Sequence, residues 1–174
     1  MRVRNRVAVR RGAIGFVKFL RDARAREGKK NAGHQALDSD RRAPEAVHPL
    51  VGRANGFTRW WASDVTEGKK TGDVELGFFN RATVYGLHPA KIAAPREAHW
   101  LCQSGKEWSG TRLLFDLTEQ KGQTLLRFTH ANWQAETDYM VMCTTTWGEL
   151  MYRLKAAAEG KKPEPLFSKV GMEY

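Results

Sequence analysis

The clearest pattern in the chain is an alternation with a period of two. Thr111, Leu113, Phe115 and Leu117 alternate with Arg112, Leu114, Asp116 and Thr118, which predicts a half-buried strand. Lys121-Gly122 turns the chain back, and Gln123 to His130 repeats the pattern, with Leu126, Phe128 and His130 on one face and Leu125, Arg127 and Thr129 on the other. Upstream, Val74, Leu76 and Phe78 alternate with Glu75, Gly77 and Phe79, and a turn at Asn80-Arg81 leads into a run from Ala82 to Leu87, which together predict a hairpin. Pro89 to Pro95 reads as a connection. Glu97 to Gln103 reads as the next strand, with Trp100 and Cys102 on one face. Such short connections favour an antiparallel meander.

After the strands the period changes. Met140, Cys143, Trp147, Leu150, Met151, Leu154 and Ala158 recur at steps of three and four, predicting a helix over 138–159 that Gly160 stops and that Pro163 and Pro165 prevent from resuming. Residues 161–174 then read as a C-terminal tail. Two shorter signals precede the sheet. Ala43-Pro44-Glu45-Ala46-Val47 opens a helix expected to fail before Pro49, and Phe57-Thr58-Arg59-Trp60-Trp61 makes a second short helical or turn-like piece. Polar residues run from there through Lys70 and Gly72. The elements add up to an α+β domain in which a curved antiparallel sheet wraps around one long C-terminal helix.

Composition narrows the function classes. The chain has 174 residues, enough for one sizeable core, and 41% hydrophobic residues with 6 Trp and 8 Phe exclude a fully disordered polypeptide. No stretch approaches the roughly 18 apolar residues of a membrane-spanning helix. Cys102 and Cys143 lack CxxC spacing and sit on faces expected to be buried, so reduced, inert thiols and a cytoplasmic location are expected. The five histidines, His34, His48, His88, His99 and His130, show no HxH or HExxH spacing. No phosphate-binding glycine loop or G-x-S-x-G elbow is present. Neither metal nor cofactor is expected.

The net charge is +10, but its distribution matters more than its size. Residues 1–42 carry 13 Lys or Arg against four acids, a balance of +9, which leaves +1 for residues 43–174. A nucleic-acid groove would draw basic residues from the folded body, so nucleic acid is disfavoured as a partner. The basic segment 1–42 is expected to be a poorly ordered, solvated arm; an organellar targeting segment or a start assigned too far upstream would give the same composition. Its one apolar patch is Ile14, Val17, Phe19 and Leu20.

A set of motifs within residues 43–160 resembles a known family. These are Ala43-Pro44-Glu45-Ala46-Val47, Gly56-Phe57-Thr58-Arg59-Trp60-Trp61, His99-Trp100-Leu101-Cys102, Glu107-Trp108-Ser109-Gly110-Thr111 and Phe128-Thr129-His130-Ala131-Asn132-Trp133, with Cys143 and Trp147-Gly148 in the last helix. In order and spacing they are similar to the activator of heat-shock protein 90 ATPase homologue-like proteins of the START-related (SRPBCC) superfamily. The resemblance implies a helix-grip fold with an elongated apolar cavity between sheet and helix, and a small hydrophobic or amphipathic ligand within it. It also implies a strand just before the Ala-Pro-Glu helix, which the polar residues 34–42 would have to supply.

On this reading the expected cavity lining is Trp60, Phe78, Trp100, Phe115, Phe128, His130, Tyr139, Cys143, Trp147 and Met151. Trp147, at mid-helix, is the residue most expected to meet a ligand, although large aromatics also fill cores. His130 either orients a ligand or closes a strand end against backbone or the Trp133 turn; the second is the plainer role. Glu107 is expected to be structural. Two other functions fit the same elements. One is an interaction module for a heat-shock 90 chaperone. The other is a cyclase or hydrolase that pairs His130 with Tyr85, Tyr139 or Asp138.

Overall fold

The computed structural model describes residues 43–168 and, through its backbone, Phe16–Lys18. In chain order these form β1 (Phe16–Lys18), α1 (Pro44–Val51), α2 (Ala54–Phe57), β2 (Asp64–Glu67), β3 (Val74–Phe78), β4 (Thr83–Ala93), β5 (Glu97–Cys102), β6 (Arg112–Gln120), β7 (Gln123–Ala131) and α3 (Asp138–Ala158). The strands make one seven-stranded antiparallel sheet in the order β1-β7-β6-β5-β4-β3-β2. From β2 to β7 each strand pairs with the next in sequence, so the meander needs no crossover. The α+β helix-grip architecture expected from the sequence is the observed one.

Alternation does what it predicts. Ala98, Trp100 and Cys102 of β5, Leu113, Phe115 and Leu117 of β6, and Leu126, Phe128 and His130 of β7 are all buried on the concave face. Register lines these side chains into rows, Ala98–Phe115–Phe128 and Trp100–Leu113–His130. Helix α3 lies on that face through Cys143, Trp147, Leu150, Met151 and Leu154. Its ends are well defined. Thr137 caps the first turn by accepting the Met140 N–H at 3.2 Å. Gly160, at φ +79°, allows the N–H groups of Gly160 and Lys161 to return to the carbonyls of Ala157 and Ala156.

Several expectations are corrected where tertiary contacts override local signals. Helix α1 runs through Pro49 to Val51, because Val47, Leu50 and Val51 bury against the sheet and a lost backbone bond is tolerated in so short a segment. Strand β4 continues past Pro89 to Ala93, with the ladder shifting register between Pro89 and Lys91, a bulge that accommodates the missing donor. The polar stretch after Trp61 contains an edge strand, β2, whose half-exposed Asp64–Glu67 has no apolar alternation to advertise it. The opposite edge is β1, paired to Arg127, Leu126 and Leu125; it falls within the segment expected to be an arm. Residues 34–42, where a strand was sought, lie outside the described residues, as does His34. Finally, the stretch after Gly160 is not loose throughout. Leu166 is fully buried, and Phe167 makes a parallel bridge to Ala62, accepting from Ser63 N–H at 2.9 Å and donating to the Trp61 carbonyl at 3.0 Å.

Candidate functional site: a cavity beneath the long helix

The interior between sheet and helix divides into a filled part and an open part. The filled part lies under α1 and α2. Trp60 and Trp100 are buried there and donate their indole N–H groups to the carbonyls of Leu50 (2.9 Å) and Val51 (2.8 Å), the orphan acceptors at the end of α1. Phe57 stands edge-on to both, and Phe115 packs between Trp60 and Phe128.

The open part is a cavity of about 410 Å³. Trp61, Phe78, Trp108, Trp147 and Leu150 make its floor, Tyr85, Tyr139, Cys143, Thr83, Thr146 and Phe167 its walls, and Phe79, Lys106 and Met142 its mouth. The adjacent residues Trp60 and Trp61 thus serve different regions: the first fills the core and the second faces the cavity. Of the ten residues expected from the sequence, Phe78, Tyr139, Cys143 and Trp147 line it. Trp60, Trp100, Phe115, Phe128, His130 and Met151 do not; they belong to the packed interior. Periodicity identified the inward faces correctly but gives no sign of which inward side chains meet empty space.

His130 shows why. Trp147 donates its indole N–H to His130 Nδ1 at 3.2 Å, so Nδ1 is unprotonated, and Nε2 must carry the hydrogen that goes to Thr111 Oγ1 at 2.9 Å. Thr111 in turn donates to the Trp108 carbonyl at 2.6 Å. Every polar atom in this chain is used, and burial pushes the imidazole down to about 3. His130 is therefore a neutral strut that fixes Trp147, and its ring also lies against Trp133. Both ring nitrogens are engaged in hydrogen bonds, and His130 does not line the cavity with Tyr85 and Tyr139, the partners the cyclase or hydrolase reading gave it.

The loop between β5 and β6 supplies what the sequence reading missed. Gly105, at φ +109°, sits so close to Tyr85 that a Cβ would fall 2.1 Å from its ring. That absence of a side chain lets Trp108 stack on Tyr85, with centroids 4.4 Å apart and planes at 16°. Glu107 accepts the Thr137 hydroxyl at 2.5 Å, tying the loop to the cap of α3. The structural role expected of Glu107 is thus a concrete one. Lys106 lies over the Tyr139 ring, 4.9 Å from its centroid.

The polar groups of the cavity cluster on one side. The hydroxyls of Tyr85 and Tyr139 are hydrogen-bonded to each other, and burial raises both pKa values, so both are protonated at neutral pH. Burial likewise raises the Cys143 thiol, and that of Cys102 to about 11, which favours the protonated thiol at both positions. The buried Trp108 N–H has no nitrogen or oxygen acceptor among the described residues and faces only the weakly accepting Cys143 sulfur.

On the opposite face of the sheet, Glu97, His99 and Asp116 bring possible ligand atoms within 4.8 Å of one another. Lys91 forms an ion pair with Glu97 at 2.6 Å, and His99 Nε2 lies in hydrogen-bond contact with Asp116 at 2.7 Å, so each of these groups has a protein partner. No helix among the described residues is long and apolar enough to cross a membrane.

No protein-family model and no curated protein matches the sequence. Solved structures do. The Aha1 dimer from Colwellia psychrerythraea is 27% identical, with a TM-score of 0.62 over 71% of this chain and 92% of that one. An AHSA1-like protein from Rhizobium etli is 23% identical, with a TM-score of 0.51 over 71% and 79%. CalU16 from Micromonospora echinospora shares the fold at 17% identity, with a TM-score of 0.57 over 71% and 64%. The neighbours share this fold and are consistent with an Aha1-like SRPBCC family, as the sequence motifs imply.

Proposed function

We propose that this Aha1-like SRPBCC chain is a binding protein for a small hydrophobic or amphipathic molecule, held in the cavity between β3, β4, the β5–β6 loop and α3. The observation that carries the reading is the cavity itself. Its 410 Å³ lies in the range of small-molecule sites, its floor is aromatic, and the hydrogen-bonded pair of Tyr85 and Tyr139 stands in its wall. Packed cores of this size leave no such space. Cys143 and Tyr139 are protonated, and His130 is committed to structure, so the lining offers shape and hydrogen bonds rather than a nucleophile or general base.

The direct test is native mass spectrometry of the protein purified from its own cells, followed by denaturing extraction. A co-purifying small molecule is expected. A matching variant is Thr146→Trp, which fills the cavity from the half-buried wall of α3; it should retain the fold and lose the extracted molecule. Retention of the molecule by that variant would place it elsewhere on the protein.

A second reading rests on the similarity to the Colwellia Aha1 structure, which spans nearly all of that chain. It is an interaction module for a heat-shock 90 chaperone. A pull-down that captures the chaperone at micromolar concentration, together with a rise in its ATP hydrolysis, supports that reading. An empty cavity in the native protein with chaperone capture would favour it over the first.

A further inference from the structure

We propose that the outward face of α3 is a self-association surface, on which a second copy of this chain packs its own α3 in the antiparallel sense.

The face is a second stripe on a helix whose first stripe serves the core. Cys143, Trp147, Leu150, Met151 and Leu154 turn to the sheet. On the other side Asp138, Val141, Thr145, Gly148, Tyr152 and Lys155 recur at steps of three, four, three, four and three, the spacing of a seam between two helices. Val141 is 60% exposed and Tyr152 73%, and among the described residues no hydrogen bond or ring contact engages the Tyr152 side chain. From Tyr139 to Gly148 the helix carries no charged residue, although Val141, Met142, Thr145 and Gly148 are all exposed. Glycine is the poorest helix former after proline, and this one has no task within the chain. Apart from its chain neighbours and the helix's own backbone, no described atom lies within 4 Å of the position a Gly148 Cβ would take.

The order of residues along the stripe identifies the occupant. About a midpoint between Thr145 and Gly148, an antiparallel copy sets Thr145 against the partner's Gly148, Val141 against the partner's Tyr152, and Asp138 against the partner's Lys155. Small residues meet at the centre, where backbones come closest; apolar and aromatic side chains flank them, and acid meets base at the ends. The wider charge distribution agrees. No Lys or Arg occurs in 132–148, and Glu136 and Asp138 make the start of α3 acidic, while Lys106 and Glu107 beside it offset each other. At the far end Arg153, Lys155, Lys161 and Lys162 outnumber Glu159 and Glu164, and Arg59 joins them by donating to the Ala157 carbonyl at 3.5 Å. Lys155 is paired with Glu159 within the chain, so the attraction acts between whole ends rather than through one ion pair. A parallel copy would set like ends together.

The contact is about 25 Å long and one helix wide, which is less than the roughly 800 Å² per partner of a standard interface, so a reversible dimer with a Kd on the order of 10–100 μM is expected. Sedimentation equilibrium of the full chain between about 1 and 500 μM tests the surface. Val141→Lys and Tyr152→Glu, both at exposed positions, are expected to weaken the dimer about ten-fold or more. Thr118→Lys, exposed on the opposite face of the sheet, should leave it unchanged. An equimolar mixture of the first two variants should associate to within about three-fold of the unaltered chain, because antiparallel packing brings the introduced lysine against the introduced glutamate and leaves the second Val141–Tyr152 contact intact. A chain that is monomeric throughout, a dimer that neither variant weakens, or a mixture no stronger than either variant alone overturns the proposal.

Discussion

The two regions of the interior are built from the same residue types and differ in how their polar atoms are used. Under α1, the tryptophans Trp60 and Trp100 each have a backbone acceptor, and aromatic rings fill the space between them. Under α3, Trp108 has an N–H without a strong acceptor, two tyrosine hydroxyls meet each other, and a cavity remains. Trp147 and His130 form the partition, each satisfying the other. Aromatic content alone therefore does not distinguish core from site here. What distinguishes Trp60 and Trp100 from Trp108 is hydrogen-bond completeness, and the buried Trp133 N–H, outside the cavity lining, shares the lack of a partner with Trp108.

The comparison is broken most severely by truncating the satisfied side. Trp100→Ala is expected to cost about 3–5 kcal/mol in urea denaturation, combining a cavity with an unpaired Val51 carbonyl. Trp108→Phe, on the open side, should cost about 1–2 kcal/mol, because a six-membered ring is kept against Tyr85 while the pyrrole portion and its poorly partnered N–H are lost beside an existing cavity. Equal losses would mean that the two regions are one packed core.

Acidification probes the partition. The folded pKa of His130 lies below its unfolded value of 6.5, so the unfolded chain binds more protons between 6.5 and about 3. The stability contributed by the neutral imidazole is present above 6.5 and is lost as pH falls below it, at up to about 1.4 kcal/mol per pH unit. Denaturation midpoints should drop accordingly between pH 6.5 and about 4.5. His130→Gln, whose amide can accept from Trp147 and donate to Thr111, should flatten that slope; an unchanged slope would assign the effect to other groups. The smallest effect is expected at the outer wall. Phe167→Ala removes an edge contact on Phe78 at 4.8 Å from a half-buried side chain and should cost under about 1 kcal/mol, while weakening ligand-induced thermal stabilisation more than Trp100 variants that still fold.

Most of the fold is legible in the sequence because alternation and helical period are local consequences of burying one face. Four central strands and α3 fall where those patterns put them, within a few residues. What escaped detection depends on contacts between distant parts of the chain. Nothing in Asp64–Glu67 marks a strand until β3 is beside it, and Pro49 and Pro89 are tolerated only because their surroundings hold them. The site was half legible for a related reason. The sequence reading puts Trp60 at the cavity and gives Trp61 no place there, because the turn that sends Trp60 into the core and Trp61 to the cavity is set by packing against α1 and α3. The motif Glu107-Trp108-Ser109-Gly110-Thr111 marks the β5–β6 loop, but the part played by Gly105 emerges only once Tyr85 is seen beside it.

The parallel bridge between Ala62 and Phe167 has a consequence for the order of events during synthesis. A ribosome releases the chain from its N-terminal side, so all seven strands and α3 emerge before Phe167 does. The nascent chain can hold its sheet and helix while the chamber still lacks its outer wall. Completion of the chamber is thereby deferred until the segment behind α3 has emerged, and proteolytic clipping there would remove the outer wall while sparing the framework.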